Sequence, residues 1–360
     1  MSTAKLRETI HEYLYEAQSD SHEVQQKALQ ALASITRVSP QNRSLLAQTY
    51  GGIPALLALS KSISPMIQTL SLSVLFNLSL NPNLKQSLAD METINHLNSI
   101  ILSPTSPPES TKLASSLICS LAMLDKNKAK FGVAGTIPLL IHAISDPCNA
   151  AAHHLLSTLA ELVQFHGNCT LAVRAGAIPV LIHVVESSDG EDLSGTSLAV
   201  LGLLSKFDEG LNALKKTEQI VSSMVEVLKG RCMLSKEGAA EILVRLFDES
   251  EGCLADALNL PEFLTVLADI SVRGSAKARE MTAQLLKKTM DANLVSYSDG
   301  ILFQIDLSII FTLANTRWRW KNQESEKLED DNEISPNYCT VINSKITLND
   351  PPCSKRAAAA

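Results

Sequence analysis

The side chains best suited to metal chemistry lie in one short stretch near the middle of the chain. His153, His154 and His166 flank Glu161. Imidazole and carboxylate groups can bind zinc when they project from one helix face, as a His pair at i and i+4 does. His154 and Glu161 are seven residues apart and can share a face, but adjacent histidines point in different directions and no cysteine lies at a ligand spacing. We therefore interpret the histidines as surface or partly packed residues and expect neither a metal nor a cofactor.

Catalytic motifs are also missing from the sequence. It contains no Gly-x-Gly-x-x-Gly phrase and no P-loop, and the sequence places no acid–base partner beside Cys148 or Cys169. We expect no catalytic residue and no enzymatic activity of its own. The formal net charge of −7 argues against a nucleic-acid partner, which requires a basic surface.

The cysteines favour a reducing compartment. All seven are scattered, their number is odd, and none form a Cys-x-x-Cys pair. The N-terminal stretch carries charged residues and no apolar signal region, and no apolar run reaches the roughly 18–20 residues that cross a bilayer. We expect reduced thiols and a cytoplasmic or nuclear location, with no transmembrane segment.

A recurring phrase shows how the chain is organised. Glycine, a hydrophobic residue and proline precede an apolar run at Gly51–Pro54, Gly135–Pro138 and Gly176–Pro179. Weaker copies lie between and after these three. Their anchor residues recur 41 to 43 residues apart, at Ile53, Ile94, Ile137, Ile178, Ile220 and Phe263. A period of this length is typical of repeats built from two or three helices.

Each copy has the composition of a small helical unit. Glycine ends a helix because it adopts the left-handed conformation without a Cβ penalty, and proline fits the first turn of the next helix. After a polar break, a longer helix carries apolar residues at i, i+3, i+4 and i+7, for example Leu72, Leu75 and Leu78. One such unit has too small a core to fold alone, so the pattern predicts units that stack on one another.

The repeated phrase, followed by Ala-x-x-x-Leu-x-x-Leu and a short polar turn, resembles the armadillo repeat, most clearly in residues 151–188. The ending at 273–290 is similar to that of plant U-box armadillo proteins. The resemblance implies an all-α fold, a right-handed α-solenoid (superhelix) of about six armadillo repeats with helical caps.

The sequence divides into three parts. Residues 1–23 are predicted to form an N-terminal capping helix with Leu6, Ile10 and Leu14 on its inner face. Residues 24–290 are the predicted armadillo solenoid, closed by a basic helix. Residues 291–360 depart from the repeat pattern, and we expect an irregular, flexible C-terminal tail. Within this tail, residues 301–320 could bind a partner or lie on a membrane surface.

The family resemblance also implies where a partner binds. In armadillo proteins the third helix of each unit lines a concave groove, and importin-like members carry Leu-x-Asn-Leu there, preceded by a Trp. Leu75–Leu78 keeps the asparagine, but the matching positions elsewhere differ and no Trp precedes them. The candidate groove residues are chemically mixed: Arg37, Asn77, Ser120, Glu161, Lys206 and Arg245.

These features favour a scaffold or adaptor that binds a protein or peptide along the groove, linked through its family to ubiquitin ligases. Only about twenty residues precede the first predicted repeat, and none resemble the U-box that docks a ubiquitin-charged enzyme. Two alternatives remain open. One is a truncated or partner-dependent U-box ubiquitin ligase, and the other is a nuclear transport adaptor, which the missing Trp and Asn residues disfavour.

Overall fold

The computed structural model describes residues 3–146, 149–187 and 191–298. Throughout these ranges the regular secondary structure is helical, as the sequence predicted. Side chains are described for all of these residues except 191 and 293–298. The predicted tail beyond residue 298 lies outside the described ranges.

The helices form two N-terminal elements followed by six successive units of three. The first two are α1 (Thr3–Glu16) and α2 (His22–Val38). The six units then run as follows: α3 (Pro40–Gln48), α4 (Gly52–Leu59) and α5 (Pro65–Ser79); a 3-10 turn (Pro82–Leu84) with α6 (Lys85–Leu88), α7 (Met91–Leu102) and α8 (Pro108–Ala122); α9 (Asp125–Val133), α10 (Thr136–Ile144) and α11 (Ala152–Leu162); α12 (His166–Arg174), α13 (Ala177–Ser187) and α14 (Glu191–Leu204); α15 (Asp208–Lys215), α16 (Ile220–Lys229) and α17 (Met233–Glu249); α18 (Glu251–Leu258), α19 (Phe263–Arg273) and α20 (Ala276–Ser298).

The recurring glycines begin the second helix of a unit in the way the sequence indicated. Gly51, Gly135 and Gly176 have φ values of 73°, 73° and 81°, in the left-handed region. The same turn before α16 is made by Gln219, with a φ of 58°, which is the one positive value outside glycine in the described part of the chain. A side chain in this conformation is strained, because its Cβ approaches the following carbonyl oxygen.

Helix α2 packs like the third helix of a unit, and we count it with the third helices of the six units. These seven helices pack side by side along the length of the stack. In chain order, α2, α5, α8, α11, α14, α17 and α20 each contact the next. One leucine from each helix lies at the centre of this stack with at most 1% of its surface exposed: Leu32, Leu75, Leu117, Leu159, Leu201, Leu243 and Leu285. Full burial of a leucine contributes about 1.5–3 kcal/mol. The repeat therefore appears in the core as a matched buried leucine on each of these seven helices.

The two ends of the stack are covered by helices. At the start, Ile10, Leu14 and Ala17 are buried where α1 meets α2 and α3. At the end, α20 buries Ala278 and Leu285 against α17 and α19 and continues past residue 290 to Ser298.

The length and composition of the described helices bear on whether they could cross a membrane. No single one of them is both long and apolar enough to span a membrane. Helices α12 and α13 reach the required length and composition only when taken together, and they are bent by 74° where they meet.

Candidate protein-binding face

The third helices present one surface, which we call the third-helix face. We define it as the solvent-facing residues of α2, α5, α8, α11, α14, α17 and α20 and of the turn directly after each. Matched positions on it recur at the repeat spacing. One row contains Gln30, Ser73 and Ser116, which are exposed or half-buried. The neighbouring row lies about one helical turn later in each helix, and its members range from exposed to buried. It contains Ser34, Asn77, Ser120, Glu161, Leu203 and Arg245.

The six groove residues predicted from the sequence all lie on third helices or directly after one, but they differ in exposure. Arg37 and Lys206 are exposed, and the Arg245 side chain is 34% exposed. The other three are buried: Asn77, Ser120 and Glu161 have 7%, 4% and 5% of their surface exposed. The structure therefore places three of the six where a partner could contact them directly.

Asn77 connects two neighbouring third helices. Its Nδ2 donates hydrogen bonds to Ala33 O at 3.1 Å and to Thr36 Oγ1 at 3.0 Å, both on α2. Thr36 Oγ1 in turn donates to Leu32 O at 2.8 Å. Both amide hydrogens of Asn77 are thus used inside the protein, where a buried donor needs a partner.

Ser120 belongs to a second polar connection, between α5 and α8. Ser79 Oγ donates to Ser120 Oγ at 2.8 Å, and Lys85 Nζ donates to Ser120 O. Burial lowers the pKa of Lys85, although the nearby Cys119 and Glu161 act in the opposite direction. The Lys85 ammonium is thus partly buried, and the backbone carbonyl of Ser120 accepts a hydrogen bond from it.

Glu161 forms a buried ion pair. Its Oε1 lies 3.0 Å from Lys128 Nζ, and both side chains are at most 6% exposed. Lys128 also lies 2.8 Å from Asp125 Oδ1, whose side chain is 89% exposed. Burial acts to lower the pKa of Lys128, but its hydrogen bonds to Asp125 and Glu161 outweigh burial and raise it. Glu161 is therefore buried in an ion pair inside the protein and is not available to contact a partner directly.

Arg245 and Lys206 belong to a more open cluster around Glu241. Glu241 Oε2 lies 3.1 Å from Lys277 Nζ, and its Oε1 lies 3.5 Å from Arg245 Nη2. Burial would raise the pKa of Glu241, but the hydrogen bond from Lys277 and the charges of Lys277, Lys206 and Arg245 lower it. The structure thus brings two of the predicted groove residues, Lys206 and Arg245, to a shared counter-ion.

Two buried asparagines in the first helices were not singled out from the sequence, although they hold consecutive units together. Asn127 Nδ2 donates to Lys85 O and Leu121 O, both at 3.0 Å. Asn168 Nδ2 donates to Lys128 O at 2.9 Å and Leu162 O at 3.0 Å. The repeat spacing between Asn127 and Asn168 is the signal that could have identified them.

Asn168 also explains a glycine. Gly132 lies within the last turn of α9. A Cβ atom at this position would lie 2.3 Å from Asn168 Oδ1. Gly132 is therefore required by the close approach of α12, rather than by backbone conformation.

The histidines considered as metal ligands are dispersed. Burial lowers the pKa of His154, and its Nδ1 has no hydrogen-bond partner. His166 stacks edge-on against Phe207, with ring centroids 5.1 Å apart, and lies 3.4 Å from Glu209. Within the described ranges, no three His, Cys, Asp or Glu side chains are grouped so that they could hold a metal ion.

Solved structures share this architecture. An engineered protein superposes with a TM-score of 0.68 at 16% identity, covering 86% of this chain and 77% of its own. A designed armadillo repeat protein gives a TM-score of 0.58 at 16% identity, covering 65% of this chain and 98% of its own. A third, a designed armadillo repeat protein in complex with the peptide (KR)4, gives 0.52 at 12% identity, with 79% and 99% coverage. At these identities the likeness shows the fold alone, which is that of an armadillo repeat solenoid.

Sequence relatives are plant proteins. U-box domain-containing protein 8 of Arabidopsis thaliana is 26% identical over 214 residues, which cover 59% of this chain and 55% of the relative. U-box domain-containing protein 1 of Medicago truncatula is 30% identical over 112 residues, which cover 29% of this chain and 16% of the relative. This chain therefore spans about half the length of the first relative and less of the second. A model of the plant U-box protein ARM repeat region matches residues 8–298, and the chain belongs to this family.

Proposed function

We propose that the chain is a protein-interaction scaffold that binds an extended segment of a partner along the third-helix face. The observation that carries the proposal is the row of matched, solvent-facing positions on successive third helices, such as Gln30, Ser73 and Ser116. A rigid ladder with one contact position per unit can bind an extended chain with little ordering cost of its own. A designed armadillo repeat protein of similar fold is in complex with a peptide, which supports the same use of this architecture.

The packing below the face supports a preorganised surface. Asn77 and Ser120 form hydrogen bonds between neighbouring units, and Glu161 forms an ion pair within its own unit, so they fix the positions of the helices that carry the exposed residues. Their part in binding would be to position the face, while Arg37, Lys206 and Arg245 remain accessible for contact.

The relatives favour a role in a ubiquitin pathway. Both curated relatives are named as U-box domain-containing proteins, and the family model describes their repeat region. In this proposal the chain selects a protein and presents it to ubiquitin-transfer components, and the transfer chemistry is supplied by another domain or subunit. The free thiols of Cys119, Cys169, Cys232 and Cys253 fit a cytoplasmic or nuclear location.

The proposal is tested with peptides selected from a random display library on the full chain. Binding is then measured for a variant with Gln30→Tyr, Ser73→Tyr and Ser116→Tyr, which fills one row of the third-helix face without changing its charge. We expect this variant to bind the selected peptides at least about tenfold more weakly, because the added rings occupy the contact positions.

A matched variant controls for the added aromatic residues. It carries Gln48→Tyr, His142→Tyr and His183→Tyr, at exposed positions on α3, α10 and α13. Equal affinity of the selected peptides for both variants and the unaltered chain would show that the third-helix face is not the binding surface.

A further inference from the structure

We propose that the C-terminal part of the third-helix face, formed by Lys206, Glu241, Arg245 and Lys277, binds acidic side chains of the partner segment. This inference rests on the proposed function and specifies the chemistry of the partner. We call these four residues the cationic cluster.

The cluster contains more positive than negative charge. Three cations surround one carboxylate, because Lys277 and Arg245 both contact Glu241 and the charge of Lys206 also acts on it. Its formal charge is therefore +2. Glu241 is 22% exposed and already forms ion pairs with Arg245 and Lys277. Its single negative charge therefore cannot also balance the charge of Lys206.

Two of the cations have donors that the protein does not use. Lys206 is exposed, and among the described residues no carboxylate oxygen lies within 4.0 Å of its Nζ. The Arg245 side chain is 34% exposed, and its Nη2 makes only the long contact of 3.5 Å with Glu241 Oε1. A guanidinium with an unused N–H beside an exposed ammonium can bind a carboxylate through charge-assisted hydrogen bonds.

The neighbouring charges do not cancel this excess. Asp248, on the last turn of α17, is paired with Lys288. Glu237, one turn before Glu241, accepts a hydrogen bond from Ser275. Glu237 places one further negative charge at the edge of the cluster, so the attraction is strongest directly at Lys206 and Arg245.

The rest of the third-helix face differs in chemistry. In the middle, Lys128 and Glu161 are buried against each other and do not reach solvent. Towards the N-terminus, Met66, Leu80 and Met123 are 49%, 43% and 45% exposed on or directly after α5 and α8. The partner segment that fits the cationic cluster carries acidic residues where it crosses α14 and α17.

The overall charge of −7 does not contradict a local site for acidic residues. At physiological salt the Debye length is about 8 Å, so charges farther away are largely screened. Contacts within the cluster then determine which peptide binds, and the attraction should weaken as salt is added.

The test uses three fluorescent peptides of known charge: (Glu-Ser)5, its neutral counterpart (Gln-Ser)5 and the basic (Lys-Arg)4. Their binding to the full chain is followed by anisotropy at low and physiological salt. We expect (Glu-Ser)5 to bind at least about tenfold more tightly than (Gln-Ser)5 at low salt, and (Lys-Arg)4 not to bind at the cluster.

Variants locate the effect. Lys206→Glu and the milder Lys206→Gln change an exposed side chain and should preserve the fold, which thermal melting checks. Both should weaken (Glu-Ser)5 binding, with the larger loss for Lys206→Glu. The matched control Lys216→Glu makes the same charge change at an exposed position at the end of α15 and should leave binding unchanged.

Two results overturn the inference. One is equal affinity for (Glu-Ser)5 and (Gln-Ser)5, and the other is an equal loss in Lys206→Glu and Lys216→Glu. The proposed function is refuted by a different result, namely that the Tyr substitutions on the third-helix face leave the affinity of the library-selected peptides unchanged. Selected peptides that bind this face without acidic residues would preserve the proposed function and refute the acidic partner.

Discussion

At the scale of single residues, the buried ion pair between Lys128 and Glu161 should contribute strongly to the stability of the fold. Removing one partner of such a pair leaves an uncompensated charge in a dry environment. We expect Glu161→Gln to lower the free energy of unfolding by about 3 kcal/mol, measured by urea denaturation. Lys128 would keep its contacts with the exposed Asp125 and with Gln164 Oε1, which compensate only in part.

Asp125→Asn is the matched control for this prediction. It removes the other carboxylate from the same lysine, but at a site that is 89% exposed, where an ion pair is worth at most about 1 kcal/mol. Similar losses in the two variants would show that burial does not distinguish these two partners.

The sequence could predict which helix carries each candidate residue, but it could not predict how far that residue is exposed. The repeat register correctly assigned Asn77, Ser120 and Glu161 to third helices. Their burial depends on contacts with residues about forty positions away, such as Thr36 with Asn77 and Ser79 with Ser120. A single helix pattern carries no information about such partners, so a surface role and a packing role look alike in the sequence.

At the scale of the elements, the turn before each second helix determines how well the repeat is formed. Gln219 adopts a conformation that Gly51, Gly135 and Gly176 adopt without strain. We expect Gln219→Gly to raise the free energy of unfolding by about 0.5 kcal/mol, because relief of about 1 kcal/mol of strain exceeds the added chain entropy of glycine. Thermal and urea unfolding measure this gain.

The reverse substitution tests the same cause. A Cβ at Gly176 meets no atom within 4 Å, so Gly176→Gln adds conformational strain without a steric clash. It should destabilise the chain by about 1 kcal/mol. Destabilisation by Gln219→Gly, or no effect of Gly176→Gln, would contradict this explanation of the turn.

The helical units themselves were predictable because their signals are local. Glycine and proline mark the start of each second helix, and apolar spacing marks each third helix. The contacts between units were less accessible. Asn168 and Gly132 meet across α12 and α9, and neither position has a distinctive local pattern that announces the contact.

At the scale of the whole molecule, the described chain is a stack in which each unit contacts mainly its neighbours. This arrangement produces a long surface from short-range packing, and the chemistry of that surface can change from unit to unit without altering the core. The row of buried leucines from Leu32 to Leu285 remains constant, while the exposed residues differ from unit to unit, with Ser73 on α5 and the partly exposed Arg245 on α17. Partner choice can therefore be altered independently of the fold.

The most direct test of a binding role for the third-helix face is site-specific photocrosslinking in plant extract. The crosslinking amino acid is placed on the third-helix face at Gln30, Ser116 and Lys206, and on first or second helices at Gln48, His142 and His183. We expect the third-helix positions to crosslink the same partner protein and the other three to give no such product. Equal crosslinking from both sets, or crosslinking only from Gln48, His142 and His183, would contradict a binding site on the third-helix face.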